Sequence, residues 1–119
     1  MRKFEKVSLK QYIADKLKYT PSIKQVEPIE QEYTDIKLPR RQTKKSAGYD
    51  FYSPCDFILH PTETIIFPTG IKVSMEDDEE FKINVRSSIG IKNKIRLMNQ
   101  TGKIDADYYN NTDNEGHIF

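Results

Sequence analysis

Residues 84–109 read NVRSSIGIKNKIRLMNQTGKIDADYY, and the rest of the chain is organised around this stretch. Its first part holds Arg86, Ser87 and Ser88, which offer a guanidinium fork, two hydroxyls and nearby backbone N–H groups, the groups that grip a phosphate. Its last part holds Asp105, whose carboxylate can take a proton from water or hold a metal-bound water. The stretch therefore predicts an anion grip and a candidate general base on one short segment.

The length suits one small domain with a single core. The chain has 119 residues, 36% hydrophobic and 31% charged, so its core is modest and oligomerisation would add stability. The formal net charge of +1 gives no global attraction to nucleic acid, and we expect no direct nucleic-acid binding. Cys55 is the only cysteine, which excludes an internal disulfide and favours a reducing compartment. Without a signal peptide or a membrane-spanning apolar run, we expect a cytoplasmic protein.

The N-terminal third is predicted to hold one helix, at about residues 8–18. Its apolar positions recur at helical spacing and predict one packed stripe: Leu9, Tyr12, Ile13 and Leu17. Ser8 and Gln11 match a capping box, in which each side chain bonds the backbone N–H of the other residue. Residues 22–33 are polar, contain Pro28 and are interpreted as a linker. We therefore predict an N-terminal extension at 1–33 and a β domain at 34–119.

Residues 36–51, IKLPRRQTKKSAGYDF, combine a basic loop with a small-residue turn. Five cations precede the turn: Lys37, Arg40, Arg41, Lys44 and Lys45. A solvated basic loop is the simplest interpretation of these charges. Ser46, Ala47 and Gly48 then permit close approach of a backbone or ligand, and Asp50 follows between aromatic residues. Asp50 can hold Mg²⁺ through water, because Mg²⁺ keeps most of its waters and uses few carboxylates.

The remaining sequence predicts a mostly β fold, a barrel or sandwich. Short apolar segments separated by turn residues predict strands at 57–59, 65–67, 71–75, 81–85 and 94–98. The acidic run 76–80 is interpreted as the loop at a hairpin end. His60 and His117 are too few to indicate a zinc site, and we expect them to be solvated or capping residues.

Four short motifs stand in a specific order. They are AGYD at 47–50, PTGIKV at 68–73, RSSIG at 86–90 and GKIDADYY at 102–109. Arg86 follows Asp50 by 36 residues, and Asp105 follows Arg86 by 19. This order and spacing resemble the trimeric dUTPases, the deoxyuridine 5′-triphosphate nucleotidohydrolases, over about residues 34–118. Each motif alone is weak, but four motifs in register with a β-rich pattern are specific.

The resemblance implies a jelly-roll type β-barrel, a homotrimer with sites at subunit interfaces, and Mg²⁺-dependent hydrolysis of dUTP to dUMP and diphosphate. It implies that Asp105 activates the attacking water and that Asp50 positions Mg²⁺ through water. It also implies that a neighbouring subunit supplies the phosphate grip, that residues 99–108 form the hairpin that reads uracil, and that Tyr108 excludes a ribose. The implied substrate-binding set is Arg86, Ser87, Ser88, Gly90, Asn99, Gly102, Ile104 and Tyr108.

The sequence departs from the family pattern at its end. The family continues with further strands, an arginine/alanine-glutamine motif and a glycine-rich arm that closes over the nucleotide, whereas this sequence stops at Phe119. We therefore expect a β domain that is incomplete at its C-terminus, with weak or absent activity for residues 1–119 alone.

Three other interpretations stay open. A dUTPase-like scaffold can serve as a nucleotide- or protein-binding module of the phage regulatory type. A dCTP deaminase shares the arginine-serine-serine motif, but residues 89–92 here read IGIK instead of beginning with an alanine-arginine pair. An unrelated small β binding protein would carry the same residue types without their spacing.

Overall fold

The computed structural model describes residues 1–20, 25 and 27–119. In chain order the elements are β1 (Lys3–Lys6), α1 (Leu9–Tyr19), α2 (Ile29–Asp35), β2 (Ile71–Ser74), β3 (Glu80–Ile83), α3 (Ser87–Lys92), β4 (Gly102–Asp105) and a 3₁₀ turn (Ala106–Tyr108). No helix in this described part of the chain is both long and apolar enough to cross a membrane.

The β elements form two antiparallel ladders. β1 pairs with β2, and β3 pairs with β4, so that Phe4 stands opposite Val73 and Phe81 stands opposite Ile104. The predicted strands at 71–75 and 81–85 are thereby confirmed, and β2 shows the expected period of two, with Ile71 and Val73 buried. Among the described residues these ladders do not close into a barrel, and each remains a separate two-stranded sheet.

Three other predicted strands are wrong, because an apolar run becomes a strand only where a partner edge completes its hydrogen bonds. Segments 57–59 and 65–67 belong to no strand, and they contact each other through the rings of Phe57 and Phe67, 5.2 Å apart. Segment 94–98 is tied to the end of α3 instead, since the Ile95 N–H donates to the Ile89 carbonyl.

The core lies between the two ladders and spreads toward α1. Val73, Ile104 and Ile118 are its buried centre on one side. Phe4 connects the layers, with its ring edge-on to Phe51 at 5.8 Å and to Phe81 at 5.6 Å. Edge-on pairs of this kind add to the burial of apolar area, so the N-terminal strand stabilises the same core as the later strands. The division of the chain at residues 33 and 34 stays a prediction.

Helix α1 begins as predicted, but its cap is completed differently. The Ser8 side chain accepts from the Gln11 N–H at 3.1 Å, as a capping residue should. The reciprocal half of the box is wrong: the Gln11 amide donates to Asp15, and the Ser8 N–H donates to the distant Glu115 carboxylate at 3.0 Å. The helix N-terminus is therefore capped by tertiary structure as well as by its own sequence.

Helix α1 buries only the middle of its predicted apolar stripe: Tyr12 is buried and Ile13 is half-buried, but the two ends of the stripe are exposed. Leu17 is 64% exposed and Leu9 is 36% exposed, whereas Tyr12, Asp15 and Lys16 are buried. The prediction that Leu9 and Leu17 pack is wrong, because polar partners on other elements satisfy the opposite face.

Those partners include α2, which lies where a linker was predicted. Residues 29–33 of that linker are helical, and residues 21–24 and 26 lie outside the described residues. Buried Glu32 of α2 accepts from the Tyr12 hydroxyl at 2.8 Å and from the Lys16 ammonium at 2.8 and 2.9 Å. Burial and the Glu32 carboxylate raise the pKa of Tyr12 far above its ordinary value, so its hydroxyl stays a donor. A segment with a polar sequence can therefore form a packed helix when its buried charged side chain has a partner of opposite charge.

His117 is fully buried, so the prediction of a solvated or capping histidine is wrong for this residue. Its Nε2 accepts from the Gly70 N–H at 2.8 Å, so Nε2 carries no proton and Nδ1–H donates to Asp15 at 2.7 Å. The side chain thus joins the segment around β2 to helix α1. Exposed His60 matches the expectation.

We expect the free energy of unfolding to fall as the pH drops from about 7.5 to about 5.5, and His117 to cause much of the fall. Burial lowers the pKa of His117 below 6.5, against a smaller opposing effect of Asp15. In this window the His117 side chain of the unfolded chain binds a proton, whereas burial keeps the same side chain neutral in the folded chain. Urea unfolding at both pH values measures the effect.

His117→Asn should be less stable at neutral pH yet lose most of this pH dependence, and exposed His60→Asn is the matched control that should keep it. The carboxylates of Glu5, Glu76 and Glu115 have lowered pKa values and stay ionised throughout this range. Equal pH dependence in the two variants would contradict the assignment.

Candidate functional site

Asp50 and Arg86 meet at the wall of a cleft of about 940 Å³, which we call the first cleft. Asp50 is fixed by backbone hydrogen bonds with Arg40 in both directions, at 2.9 and 3.3 Å. Arg86 follows the end of β3 and precedes α3. The Arg86 Nη1 lies 3.6 Å from the Asp50 Oδ2, and the side chains are 66% and 25% exposed. The structure thus brings together two predicted site residues that are 36 positions apart.

The predicted phosphate grip lies at the start of α3. Ser87 and Ser88 form the first turn of this six-residue helix, and both are exposed. Gly90 packs against Val85, whose Cγ2 would lie 3.3 Å from a Cβ at position 90. The backbone N–H groups of a first turn have no partner inside their helix. Arg86, the two hydroxyls and these N–H groups therefore present donors to solvent on one side of the chain.

The predicted nucleoside residues surround a second cleft, of about 300 Å³. It is lined by Asn99, Gly102, Ile104, Asp105 and Tyr108, among others. Ile104 is buried and anchors β4, while the next residue, Asp105, is exposed at the strand end. A buried residue followed by an exposed one is the ordinary alternation of a strand, and it directs the carboxylate away from the core.

Tyr108 is held firmly beside this second cleft. Its hydroxyl donates to the His117 carbonyl at 2.8 Å and accepts from the Asn114 amide at 2.8 Å. Gly102 lies close to β3, because a Cβ there would be 3.4 Å from the Ile83 Cβ. The walls of the second cleft are therefore set by hydrogen bonds and close backbone packing, which suits recognition by shape.

The predicted site residues fall into two groups within one chain. Asp50 and Arg86 line the first cleft, whereas Asp105 and its neighbours line the second. Ile83 belongs to both walls, so the two clefts adjoin at the end of β3. The anion grip and the candidate base consequently do not face one shared cavity of this chain.

Sequence reasoning missed two contributors to the second cleft, His117 and Asp107. His117 comes close only through the tertiary fold, and no spacing signal in the sequence indicates it. Asp107 stands two residues after Asp105, and the repeat IDAD is a signal that points to it.

Asp50 is the predicted contact for a metal ion. Among the residues that the structure describes, no three His, Cys, Asp or Glu side chains cluster as metal ligands. Asp50 has a partly exposed carboxylate at the first cleft. One carboxylate is a suitable protein contribution for Mg²⁺, which takes its other ligands from waters and phosphates.

A family model described as dUTPase matches residues 34–113. Deoxyuridine 5′-triphosphate nucleotidohydrolase of Lactococcus lactis subsp. lactis is 44% identical over 84 residues, which is 71% of this chain and 56% of that protein. The protein of the same name from Leptospira interrogans is 38% identical over 76 residues, 62% of this chain and 52% of that protein. The chain therefore spans about half the length of these curated relatives.

A crystal structure of dUTPase from Streptococcus mutans resembles this chain with a TM-score of 0.55 and 30% identity. The likeness covers 98% of this chain and 73% of that one. The predicted fold class, a mostly β fold of the dUTPase type with a short N-terminal helix, is thereby confirmed.

Proposed function

The chain belongs to the dUTPase family, and we propose on this premise that it hydrolyses dUTP to dUMP and diphosphate. One observation carries the proposal. The family match at 34–113 contains every predicted site residue, from Asp50 to Tyr108. Hydrolysis of a phosphoanhydride needs groups that hold the phosphates, a metal contact and a general base. These residue types offer all three.

Asp105 is the proposed general base. Its carboxylate is exposed at the end of β4 and borders the second cleft, where a nucleotide and a water can reach it. Burial of Ile104 fixes the backbone that carries it. Asp105 would take a proton from the water that attacks the α-phosphate, and positioning supplies much of the remaining rate.

The proposed phosphate grip is the start of α3. The Arg86 guanidinium can hold two phosphate oxygens at once, and the hydroxyls of Ser87 and Ser88 can donate to others. All three side chains are exposed, so a triphosphate can approach them. Gly90 would keep α3 close to Val85 and hold the grip at the end of β3.

The second cleft is the proposed uracil and deoxyribose site. Asn99, Gly102 and Ile104 line it, and backbone groups there cannot rotate away from a base edge. Tyr108, held at its hydroxyl by two hydrogen bonds, would pack on the sugar and leave no room for a 2′-hydroxyl. Discrimination between dUTP and UTP would therefore rest on the shape of this wall.

Asp50 is the proposed contact for Mg²⁺, held through water. The bound ion would supply charge neutralisation for the phosphate oxygens. Arg86 lies 3.6 Å from the same carboxylate, so Asp50 would also orient this guanidinium toward the cleft. Both functions use one partly exposed carboxylate in a position that the Arg40 backbone fixes.

We further infer a homotrimer in which Arg86 of one subunit serves Asp105 of its neighbour. The observation that supports it is that Arg86 and Asp105 line different clefts of one chain. A heterologous contact around a three-fold axis would bring the two half-sites together.

A cytoplasmic location is proposed as well, because the single Cys55 suits a reducing compartment.

The test is an assay of the purified chain with dUTP and Mg²⁺ that measures diphosphate release and, separately, binding of a non-hydrolysable dUTP analogue. From residues 1–119 alone we expect slow formation of dUMP and diphosphate, with a marked preference for dUTP over UTP and dCTP. Ammonia release from dCTP would indicate a deaminase instead. Tight analogue binding without diphosphate would indicate a binding module, and the absence of both binding and turnover would overturn the proposal.

A further inference from the structure

The loop 37–46, called here the basic loop, is the most strongly charged surface that the proposed reaction leaves unexplained. It carries five cations: Lys37, Arg40, Arg41, Lys44 and Lys45. No acidic residue occurs from 36 to 49, although the whole chain has a formal charge of only +1. The residues outside the loop therefore hold an excess of negative charge, and the positive charge is concentrated at one place.

The basic loop has a defined shape that its own hydrogen bonds maintain. The Arg40–Asp50 backbone bridge closes the segment 40–50, which contains most of the loop. Inside it, the Arg41 Nε donates to the Ser46 carbonyl at 2.9 Å, and the Thr43 N–H donates to the Ser46 hydroxyl at 3.0 Å. The lysines are thus presented on an ordered backbone, so little backbone entropy is lost when they bind a partner.

The cations of the basic loop are not neutralised within the chain. All five side chains are exposed, and in the described ranges 1–20, 25 and 27–119 none of them forms an ion pair. Residues 21–24 and 26 contain no Asp or Glu that would serve as a counter-ion. The positive electrostatic potential of the loop therefore faces solvent.

Tyr52 contacts two of these cations, and Tyr49 follows Lys45 by four residues with its ring packed edge-on against Phe4 at 5.2 Å. The Tyr52 hydroxyl accepts from the Gln42 amide at 3.2 Å and from the Arg40 Nε at 2.9 Å. These donors lower the pKa of Tyr52, with the Gln42 hydrogen bond the largest cause, and the nearby cations add to the effect. The Lys37 ammonium lies 5.6 Å from the centre of the Tyr52 ring, and Tyr49 is 49% exposed. Aromatic surface and positive charge are therefore adjacent.

We propose, against the expectation drawn from the net charge alone, that the basic loop together with Tyr49 and Tyr52 binds single-stranded nucleic acid. Its phosphates would lie against Lys37, Lys44 and Lys45, and unpaired bases would stack on the tyrosine rings. Proteins usually bind single strands in this way: cations lie along the phosphate backbone, and aromatic rings stack on any of the bases. The surface borders the first cleft through Gln42, Ser46 and Tyr49 but does not include Asp105 or the second cleft. Binding of a strand there does not require the hydrolysis of dUTP.

The chemistry favours a phosphate backbone over an acidic protein. Arginine forks recognise carboxylates in fixed bidentate geometry, but Arg41 is committed to the Ser46 and Lys44 carbonyls and the Arg40 Nε to Tyr52. The free groups are mainly lysine ammoniums, which act as point charges and tolerate a flexible polyanion. Exposed tyrosine beside them adds a preference for unpaired bases over a plain polyanion.

The experiment measures binding of a labelled deoxyadenosine oligonucleotide of about 20 residues by fluorescence anisotropy at several salt concentrations. Adenine avoids the proposed uracil site. With three lysines on phosphates, the logarithm of the binding constant should fall against the logarithm of salt with a slope of about −2. Lys44→Glu/Lys45→Glu should reduce affinity by at least about 10-fold and flatten that slope.

The matched control is Lys10→Glu/Lys18→Glu, which makes the same charge change at exposed positions of α1 and should bind like the parent. Tyr49→Leu should weaken binding of the oligonucleotide but not of heparin. The proposal is overturned if the oligonucleotide does not bind at low salt, or if both charge variants lose affinity equally. It is also overturned if a duplex or an acidic peptide binds the loop as tightly, or if Tyr49→Leu has no effect.

Discussion

Asp105→Asn is expected to bind dUTP as the parent chain does but to release diphosphate about 10²–10⁴-fold more slowly. The amide keeps the size of the side chain at the exposed end of β4, where little packing depends on it. It cannot accept a proton from water at neutral pH, so the loss should fall on kcat. Single-turnover diphosphate release and titration with a non-hydrolysable analogue measure the two quantities separately.

Asp107→Asn is the matched control, because Asp107 is an exposed carboxylate that lines the same second cleft. It should change kcat little. Normal turnover by Asp105→Asn would show that the base is assigned wrongly, and equal losses in both variants would show that the cleft needs only its negative charge.

The same variant tests whether the site is shared between subunits. Arg86→Ala lacks the proposed phosphate grip and should be inactive by itself. When it is mixed with Asp105→Asn and refolded, about a quarter of the interfaces of a ring would join an intact Arg86 to an intact Asp105. Activity should reappear accordingly, and none should reappear if both residues serve one chain.

Lys16→Met is expected to lower the free energy of unfolding by about 3–5 kcal/mol. Lys16 and Glu32 are each 3% exposed, so removal of the ammonium leaves a buried carboxylate that keeps only the Tyr12 hydroxyl as a partner. The loss of this pair should also loosen α2 from α1. Urea unfolding monitored by circular dichroism measures the change.

Lys18→Met is the control, since Lys18 lies on the same helix but is exposed and should tolerate the change within about 0.5 kcal/mol. Lys16→Met/Glu32→Leu should recover much of the loss, because it removes the unpaired charge together with its partner. A similar cost for Lys16→Met and Lys18→Met would show that the buried pair contributes no more than a surface charge.

The strands that could be predicted are those whose own residues alternate between apolar and polar, wherever their partners lie in the chain. β2 and β3 alternate apolar and polar residues, and each found an antiparallel neighbour that buries its apolar face. Segments 57–59 and 65–67 carry equally apolar residues but found no ladder, because pairing depends on an edge that the sequence pattern does not specify. The start of α1 was predictable for the same local reason, since Ser8 caps it within one turn.

For the candidate site too, the sequence predicted some features and not others. Asp50, Arg86 and Asp105 were predicted as site residues from motif order and spacing. Their distribution over two clefts was not predicted, because the two ends of the segment 84–109 line different clefts in the folded chain. His117 gave no signal at all, since its role depends on Asp15 and the Gly70 N–H, which lie 102 and 47 residues away.

The sequence by itself determined the residue types, the order of the motifs and the strands and caps that short-range contacts set. Only the tertiary structure decided which face of α1 is buried, that Glu32 and Lys16 form an interior pair, and that the phosphate grip and the candidate base line different clefts. The physical reason is the distance along the chain over which each interaction acts. Capping and alternation act over a few residues, whereas burial of a charge and assembly of a cleft depend on groups that only the folded chain brings within hydrogen-bonding distance.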